Sequence, residues 1–402
     1  MDSPNKILIA LSALVLLSYL FNIAAARLRI PAVLLLIGTG IGLHYLSIAA
    51  GYNFFPDTRV VLELLGIIGL IFIVLEGALE LEMTRDKLPV IGRSFAAALL
   101  ILLATSGIIC YLLYYFLDMP VRQAFVYAVP LGVISSAIAI PSVDKMSKST
   151  KEFIIYESTF SDILGIMLFN YVVQDEPLSG EAIGGFFLEI IVMLLVSAVS
   201  TGLLLLLLNY ARTHVKFFLI FAFIVLIYTI SKLAHLPSLL FVLIFGIMLN
   251  NGKIYIRGKL AKYLHIERLK TVTAEMRLLT AETAFLVRTF FFVLFGYSIE
   301  LLMLNNYVVI ITGILILLTI LLTRFVFLRF ISKTNVIPEL FIAPRGLITI
   351  ILFYGIPPAL ASPVFSTGIL FFVILGSSLL MMIGLFLSGK KYTREIEEIQ
   401  SE

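Results

Sequence analysis

The chain has 402 residues, of which 61% are hydrophobic and only 13% are charged. An ordinary soluble domain is about 45–50% apolar and about 25% charged. With a mean hydropathy of +1.09, this composition excludes a water-soluble enzyme, a disordered chain and a secreted disulfide scaffold. The single cysteine, Cys110, excludes an internal disulfide, and a net charge of +4 is too small to indicate a nucleic-acid partner.

Thirteen apolar stretches are interpreted as membrane-spanning helices, because a hydrocarbon core about 30 Å thick requires about 20 helical residues. The stretches do not alternate at period 2 as barrel strands would. The predicted fold is therefore an all-α polytopic membrane protein with about 13 transmembrane helices. The predicted spans are 5–25, 30–48, 60–80, 89–117, 122–145, 153–173, 183–209, 214–233, 236–250, 280–303, 305–331, 338–357 and 363–388.

The lysines and arginines between the spans predict the orientation in the membrane. Most of them lie in the odd-numbered connections and in the tail 389–402. Cytoplasmic loops carry such an excess, so the C-terminus is expected in the cytoplasm and the N-terminus outside, in a cytoplasmic (inner) or plasma membrane. The longest connection, 251–279, interleaves basic and apolar residues. It is expected to be an amphipathic helix on anionic lipid, with a solvated linker as the alternative.

Two predicted spans contain helix breakers in their middles. The fifth span carries Pro130, Gly132 and Pro141, and the twelfth carries Pro344 and Gly346. The two breaks are seven spans apart, an odd number, so the two helices cross the bilayer in opposite directions. This arrangement predicts two inverted six-helix repeats with crossed, broken helices, and interrupted helices of this kind indicate an ion site near the midplane.

The sixth span contains the strongest cluster of polar side chains: Glu157, Ser158, Ser161 and Asp162. Ionisable groups are costly at mid-membrane and usually functional. Ser158, Ser161 and Asp162 share one helix face, and their oxygens suit a hard monovalent cation. A buried carboxylate can hold a proton or a cation but not both at full strength, so competition at Asp162 would couple the two fluxes.

The segment from Glu157 to Gly165 resembles a signature of the monovalent cation:proton antiporters, the family of the sodium/proton exchangers. Residues 75–81, 290–296 and 344–346 resemble three further motifs of that family in the same order. The resemblance implies a secondary-active antiporter rather than an enzyme. Its substrates would be H⁺ and Na⁺, with Li⁺ or K⁺ as alternatives, and it would need no cofactor.

The resemblance also implies a homodimer with elevator-type alternating access. Residues 1–388 would form one transporter domain. Its dimerisation part would comprise 1–80 and 214–303, its core part 89–173 and 305–388, and its connector helix 183–209.

Residue roles follow from the same resemblance. Asp162 becomes the ion-binding carboxylate, Ser158 an ion ligand, and Glu157 the partner of Arg345. A buried Glu and a buried Arg beside broken helices are also expected to pair on physical grounds. The alternative for Arg345 is a side chain that reaches the cytoplasmic interface, and Arg324 is interpreted as an anchor at that interface.

The sequence departs from the family pattern at two places. Ser161 stands where the family has Asn, and Ile138 and Ala139 stand where it has Thr and Asp. Backbone carbonyls near Ile138 remain as predicted ligands. Ser135 and Ser136 are further candidates for lining the site. Arg288 is a candidate cation facing the crossing.

With Asp162 as the only acid at the crossing, one proton is expected to exchange for one cation, which makes transport electrically neutral. Two rival functions stay open. A passive cation channel would conduct without exchanging protons. A sodium-coupled organic-anion symporter would use Arg345 and Arg288 to attract its substrate.

Overall fold

The computed structural model describes residues 4–28, 30–51, 58–143, 146–174, 180–210, 217–234, 236–252, 266–332 and 336–401. Regular structure in these ranges is entirely helical. In chain order the α-helices are α1 (Pro4–Leu28), α2 (Ala32–Ala50), α3 (Thr58–Glu80), α4 (Leu88–Leu117), α5 (Val121–Gly132), α6 (Ser136–Ser142), α7 (Lys148–Val173), α8 (Gly180–Tyr210), α9 (Phe217–Leu233), α10 (Ser238–Asn250), α11 (Ile266–Tyr297), α12 (Tyr307–Val326), α13 (Leu347–Tyr354) and α14 (Thr367–Ser401).

The helices follow the predicted spans closely. Each of the thirteen spans has a helical counterpart in the described ranges, and the fifth is built from two helices, α5 and α6. The all-helical fold class is therefore confirmed, while the inverted relation of two repeats stays a prediction. Within the described residues, six stretches are long and apolar enough to cross a membrane: Ala32–Ala50, Arg85–Leu117, Val121–Ser142, Thr271–Tyr297, Tyr307–Ile331 and Thr367–Leu387.

The largest difference from the predicted boundaries is at the tenth span. Helix α11 begins at Ile266 instead of 280, so residues 266–279 are helical and continue directly into the tenth span, while their expected place on anionic lipid stays a prediction. Arg277, which lies just before the predicted start of the span, donates to the Leu79 carbonyl at 2.8 Å and to Asn250 Oδ1 at 3.0 Å. The remainder of that predicted segment, residues 253–265, lies outside the described residues.

The chain divides into two compact units. One consists of Met1–Ile67, Arg93–Gly165 and Leu286–Glu402, and the other of Ile68–Gly92 and Ile166–Phe285. In the second unit α10 packs against α8 and α9. The first unit contains both breaks and the polar cluster of α7, and every contact of the candidate site lies within it.

Both predicted helix breaks are present. Helix α5 ends at Gly132, residues 133–135 are extended, and α6 begins at Ser136. In the twelfth span a short turn, Glu339–Phe341, is followed by the non-helical residues 342–346 and then by α13. Pro130, Pro141 and Pro344 have no N–H to donate, and proline in a helix interior removes a backbone hydrogen bond.

Candidate ion site at the helix breaks

The two breaks touch each other. The Ser135 backbone N–H donates to the Pro344 carbonyl at 2.8 Å. A side-chain carbon at Gly346 would lie 2.6 Å from Ile138 Cδ1 and 2.7 Å from Ser135 Oγ, so only glycine permits this approach without a shift. The backbone groups freed by one break are thus partly satisfied by the other, as the membrane interior requires.

Arg345 binds the carbonyls that the breaks leave without helical donors. Its side chain is fully buried. Nε donates to the Leu131 carbonyl at 2.8 Å, Nη2 to Gly132 at 3.1 Å and Nη1 to Ala343 at 2.7 Å. Leu131 and Gly132 end α5, where the helix carries partial negative charge. The guanidinium therefore joins the two broken spans, and the alternative of a side chain at the cytoplasmic interface is wrong.

Glu157 pairs with Arg324 and not with Arg345. Arg324 Nη1 and Nη2 donate to the two carboxylate oxygens at 2.5 and 2.8 Å, and both side chains are at most 1% exposed. Arg324 Nε also donates to the Glu339 carbonyl at 2.7 Å. The expected Glu157–Arg345 pair is therefore corrected, and so is the interpretation of Arg324 as an interfacial anchor.

The sequence contained a signal for the burial of Arg324, though not for its partner. Thr312, Thr319 and Thr323 are buried at helical spacing on α12, on the face that also carries Arg324. A π-helical turn, Phe327–Ile331, continues α12 and extends the helix past Arg324. The buried face of α12, rather than distance from the predicted span end, indicates where this arginine points.

Asp162 lies beside the first residue of α6. Its side chain is 1% exposed, and its Oδ2 accepts a short hydrogen bond from the Ser136 hydroxyl. Its Oδ1 is buried and has no hydrogen-bond partner among the described residues. Buried carboxylate oxygens are normally paired, so Oδ1 is the atom with free capacity for a proton or a cation.

The other predicted ligands have different surroundings. Ser161 Oγ accepts from the Ile134 backbone N–H at 2.9 Å and so joins α7 to the first break. The Ser158 hydroxyl donates to the Ile155 carbonyl of its own helix at 3.3 Å, and the Ile138 carbonyl accepts from Ser142 at 2.7 Å. These oxygens keep acceptor lone pairs.

Several other buried hydroxyl groups, either close to Asp162 in the sequence or located at the breaks, also have no hydrogen-bond partner in the described part of the chain. Ser135 Oγ lies at the contact between the breaks. Sequence reasoning missed two more, Thr159 on α7 and Thr349 in the first turn of α13. Their burial on helices that carry the site, rather than any motif, is the signal that identifies them.

Arg288 of α11 approaches the same region. Its Nη1 lies 3.5 Å from the Ala137 carbonyl, which would bond the N–H of residue 141 in a regular helix. Pro141 has no N–H, and the guanidinium lies near the oxygen that the proline leaves free. The predicted approach of Arg288 to the broken helix is thus observed.

Comparisons with known proteins extend these observations. A family model described as "Sodium/hydrogen exchanger, transmembrane" matches residues 11–389. The sodium proton antiporter MjNhaP1 from Methanocaldococcus jannaschii, solved at pH 8, is similar in structure with a TM-score of 0.72 and 21% identity, covering 96% of this chain and 100% of the other. A second structure of that antiporter, from electron microscopy, has a TM-score of 0.66 and 22% identity, with coverage of 100% and 99%. No curated protein sequence matches the chain.

Together with its apolar helices, the match to this family model shows that the chain is an integral membrane transporter rather than an enzyme. The chain belongs to the sodium/hydrogen exchanger family, whose model covers nearly all of it. Cation/proton antiport is accordingly its class of activity.

Proposed function

We propose that the protein exchanges Na⁺ for H⁺ by competition at Asp162, one cation for one proton, without net charge movement. The observation that carries the proposal is Oδ1 of Asp162, which has no hydrogen-bond partner among the described residues, in a carboxyl group that is 1% exposed beside two touching helix breaks. A proton and a cation would compete for this oxygen, so each ligand lowers the affinity for the other.

The cation would be held by oxygen atoms alone. Asp162 and Ser158 are the proposed metal ligands, joined by the Ile138 carbonyl and by Ser136, which already contacts the carboxylate. Ser135 lines the site with a hydroxyl that has no hydrogen-bond partner in the described part of the chain. Ser161 would act on the geometry of the site, because its hydroxyl binds the first break.

The helices around the proposed ion site would move together as a rigid body during transport. Arg324 links α7 to the segment before the second break, and Arg345 links that break to the end of α5. Such a linked core supports elevator-type movement of the proposed core part, 89–173 and 305–388. The proposed dimerisation part is 1–80 and 214–303, and the protein would act as a homodimer in a cytoplasmic membrane with its C-terminus inside.

The test is cation-driven proton movement in proteoliposomes that contain a pH-sensitive dye. Na⁺, Li⁺ and K⁺ are compared side by side, and Na⁺ is expected to give the largest response. The variant Asp162→Asn should abolish the response because a neutral amide cannot alternate between a proton and a cation. Exchange that persists in this variant would refute the proposal.

The matched control is Asp118→Asn. Asp118 is exposed and has a φ of 49°, a conformation that Asn tolerates well, so exchange should stay normal. The same vesicles separate the rival functions. Cation flux without proton movement would indicate a channel, and proton or sodium movement that depends on an added organic anion would indicate a symporter.

A further inference from the structure

Glu339 is a further buried carboxyl group in the same unit, besides Asp162 and Glu157, and the proposed exchange at Asp162 does not use it. It begins the short turn Glu339–Phe341, just before the second break, and it is 7% exposed. Its Oε2 is buried and has no hydrogen-bond partner in the described part of the chain.

Two hydroxyl groups connect this carboxyl group to the protein surface. The exposed Ser147 donates to Thr150 Oγ1 at 3.1 Å, and Thr150 Oγ1 donates to Glu339 Oε1 at 3.4 Å. Both hydroxyls lie at the start of α7, the helix that carries Asp162. Glu339 therefore has a hydrogen-bonded route along which it can exchange a proton with the adjoining aqueous phase.

Charged groups from three helices face Glu339. They are Arg324 on α12, Arg93 on α4 and Glu157 on α7. When Glu339 is ionised, two positive and two negative charges balance. A proton on Glu339 would leave one excess positive charge and a weaker bond to Thr150, because a hydrogen bond to a charged acceptor is stronger than one to a neutral acceptor.

We infer that Glu339 is a positioning residue for the transport cycle. Its ionised carboxylate holds the second break in place, and its protonation loosens that break. It acts through its own segment, since Arg324 binds the Glu339 carbonyl and Glu157 together, and through Thr150 on α7. Protonation at low pH would thus slow exchange independently of competition at Asp162. The inference rests on the proposed antiport, for which it supplies a regulatory group.

The test is the pH profile of exchange by Glu339→Gln in proteoliposomes. The amide mimics the protonated carboxyl group, so the variant should be about fivefold or more slower than wild type at alkaline pH. The ratio of the two rates should approach one as the pH falls and wild type becomes protonated. The cation KM should stay unchanged, because Glu339 does not contact the proposed ion ligands. A purely structural defect would lower the rate by the same factor at every pH, and that result would overturn the inference. A Glu339→Gln profile identical to that of wild type would overturn it as well.

A pair of variants at Thr150 keeps the inference testable if Glu339→Gln does not fold. Thr150→Ala removes the hydroxyl that donates to Glu339, so exchange by this variant should also be slower than wild type at alkaline pH. Thr150→Ser keeps the hydroxyl and should have the pH profile of wild type. A wild-type profile for Thr150→Ala would contradict the inference. Wild-type protein that shows no cation-driven proton movement would instead contradict the antiport itself.

Discussion

At the scale of single residues, the buried pair of Glu157 and Arg324 illustrates how a charged group is kept inside a membrane protein. Both carboxylate oxygens receive a guanidinium N–H, and a third N–H binds the Glu339 carbonyl. Removing two charges from water is costly, and the cost is offset only when nearly every polar atom is paired. Arginine meets this condition better than lysine, because its donors form a rigid planar fork.

The first prediction concerns that pair. Arg324→Ala should destabilise the folded state by about 3–5 kcal/mol, because it leaves the Glu157 charge buried without a partner. The double variant Glu157→Ala/Arg324→Ala should recover part of the loss. Unfolding can be followed with a thiol-reactive dye, since Cys110 is the only cysteine and is buried.

The exposed Arg329 provides the control, and Arg329→Ala should unfold like wild type. Equal stability of wild type and Arg324→Ala would show that the pair does not hold the core together.

At the scale of elements, the contact between the breaks depends on one small residue. Gly346 has an extended backbone with φ −166°, so the constraint is purely steric. Its missing side chain leaves room for Ser135 and Ile138 of the other broken span. An added methyl group would displace the side chains of Ser135 and Ile138 at the contact between the breaks.

The second prediction follows from this contact. Gly346→Ala should lower the exchange rate about tenfold or more, because small displacements of binding groups have large effects on rate. The matched control is Gly107→Ala on α4, where nothing lies within 4 Å of the added carbon. Initial rates in proteoliposomes, corrected for the amount of folded protein, measure both. Normal exchange by Gly346→Ala would mean that the close approach is not needed for transport.

The elements themselves were largely predictable from the sequence. Apolar length predicts the spans, and prolines with glycines predict both breaks, because these effects are local. The start of α11 was not predictable in this way. The predicted span begins after Arg277, and the pairing of this arginine with the Leu79 carbonyl and Asn250 depends on contacts distant in sequence.

The site shows the same division between local and distant information. Asp162 and its neighbouring serines are recognisable from their spacing on one helix. The partner of Glu157 is not, because Arg324 and Arg345 are both buried and only the packing of α12 against the start of the twelfth span decides between them. Ser136 was a candidate on sequence grounds, and its bond to Asp162 becomes visible only when the break is folded.

At the scale of the whole molecule, the charge moved per cycle depends on how many acids take part at the breaks. Ala139 stands where the resemblance to the family leads one to expect a second acid, so Asp162 is the proposed exchanging carboxyl group. One proton for one monovalent cation moves no net charge.

The third prediction is therefore that the membrane potential does not affect exchange. Initial rates and the cation gradient at which net proton movement stops should be equal at two imposed potentials in the same proteoliposomes. Either quantity changing with potential would indicate unequal numbers of protons and cations.

The most direct measurement is the number of protons released when Na⁺ binds to the purified protein. Calorimetric titrations in buffers of different ionisation enthalpy give that number without transport. Wild type should release about one proton per bound Na⁺ at a pH where Asp162 is protonated, and Asp162→Asn should neither bind Na⁺ nor release a proton. Na⁺ binding by wild type without proton release, or equal release by the variant, would contradict competition at this carboxyl group.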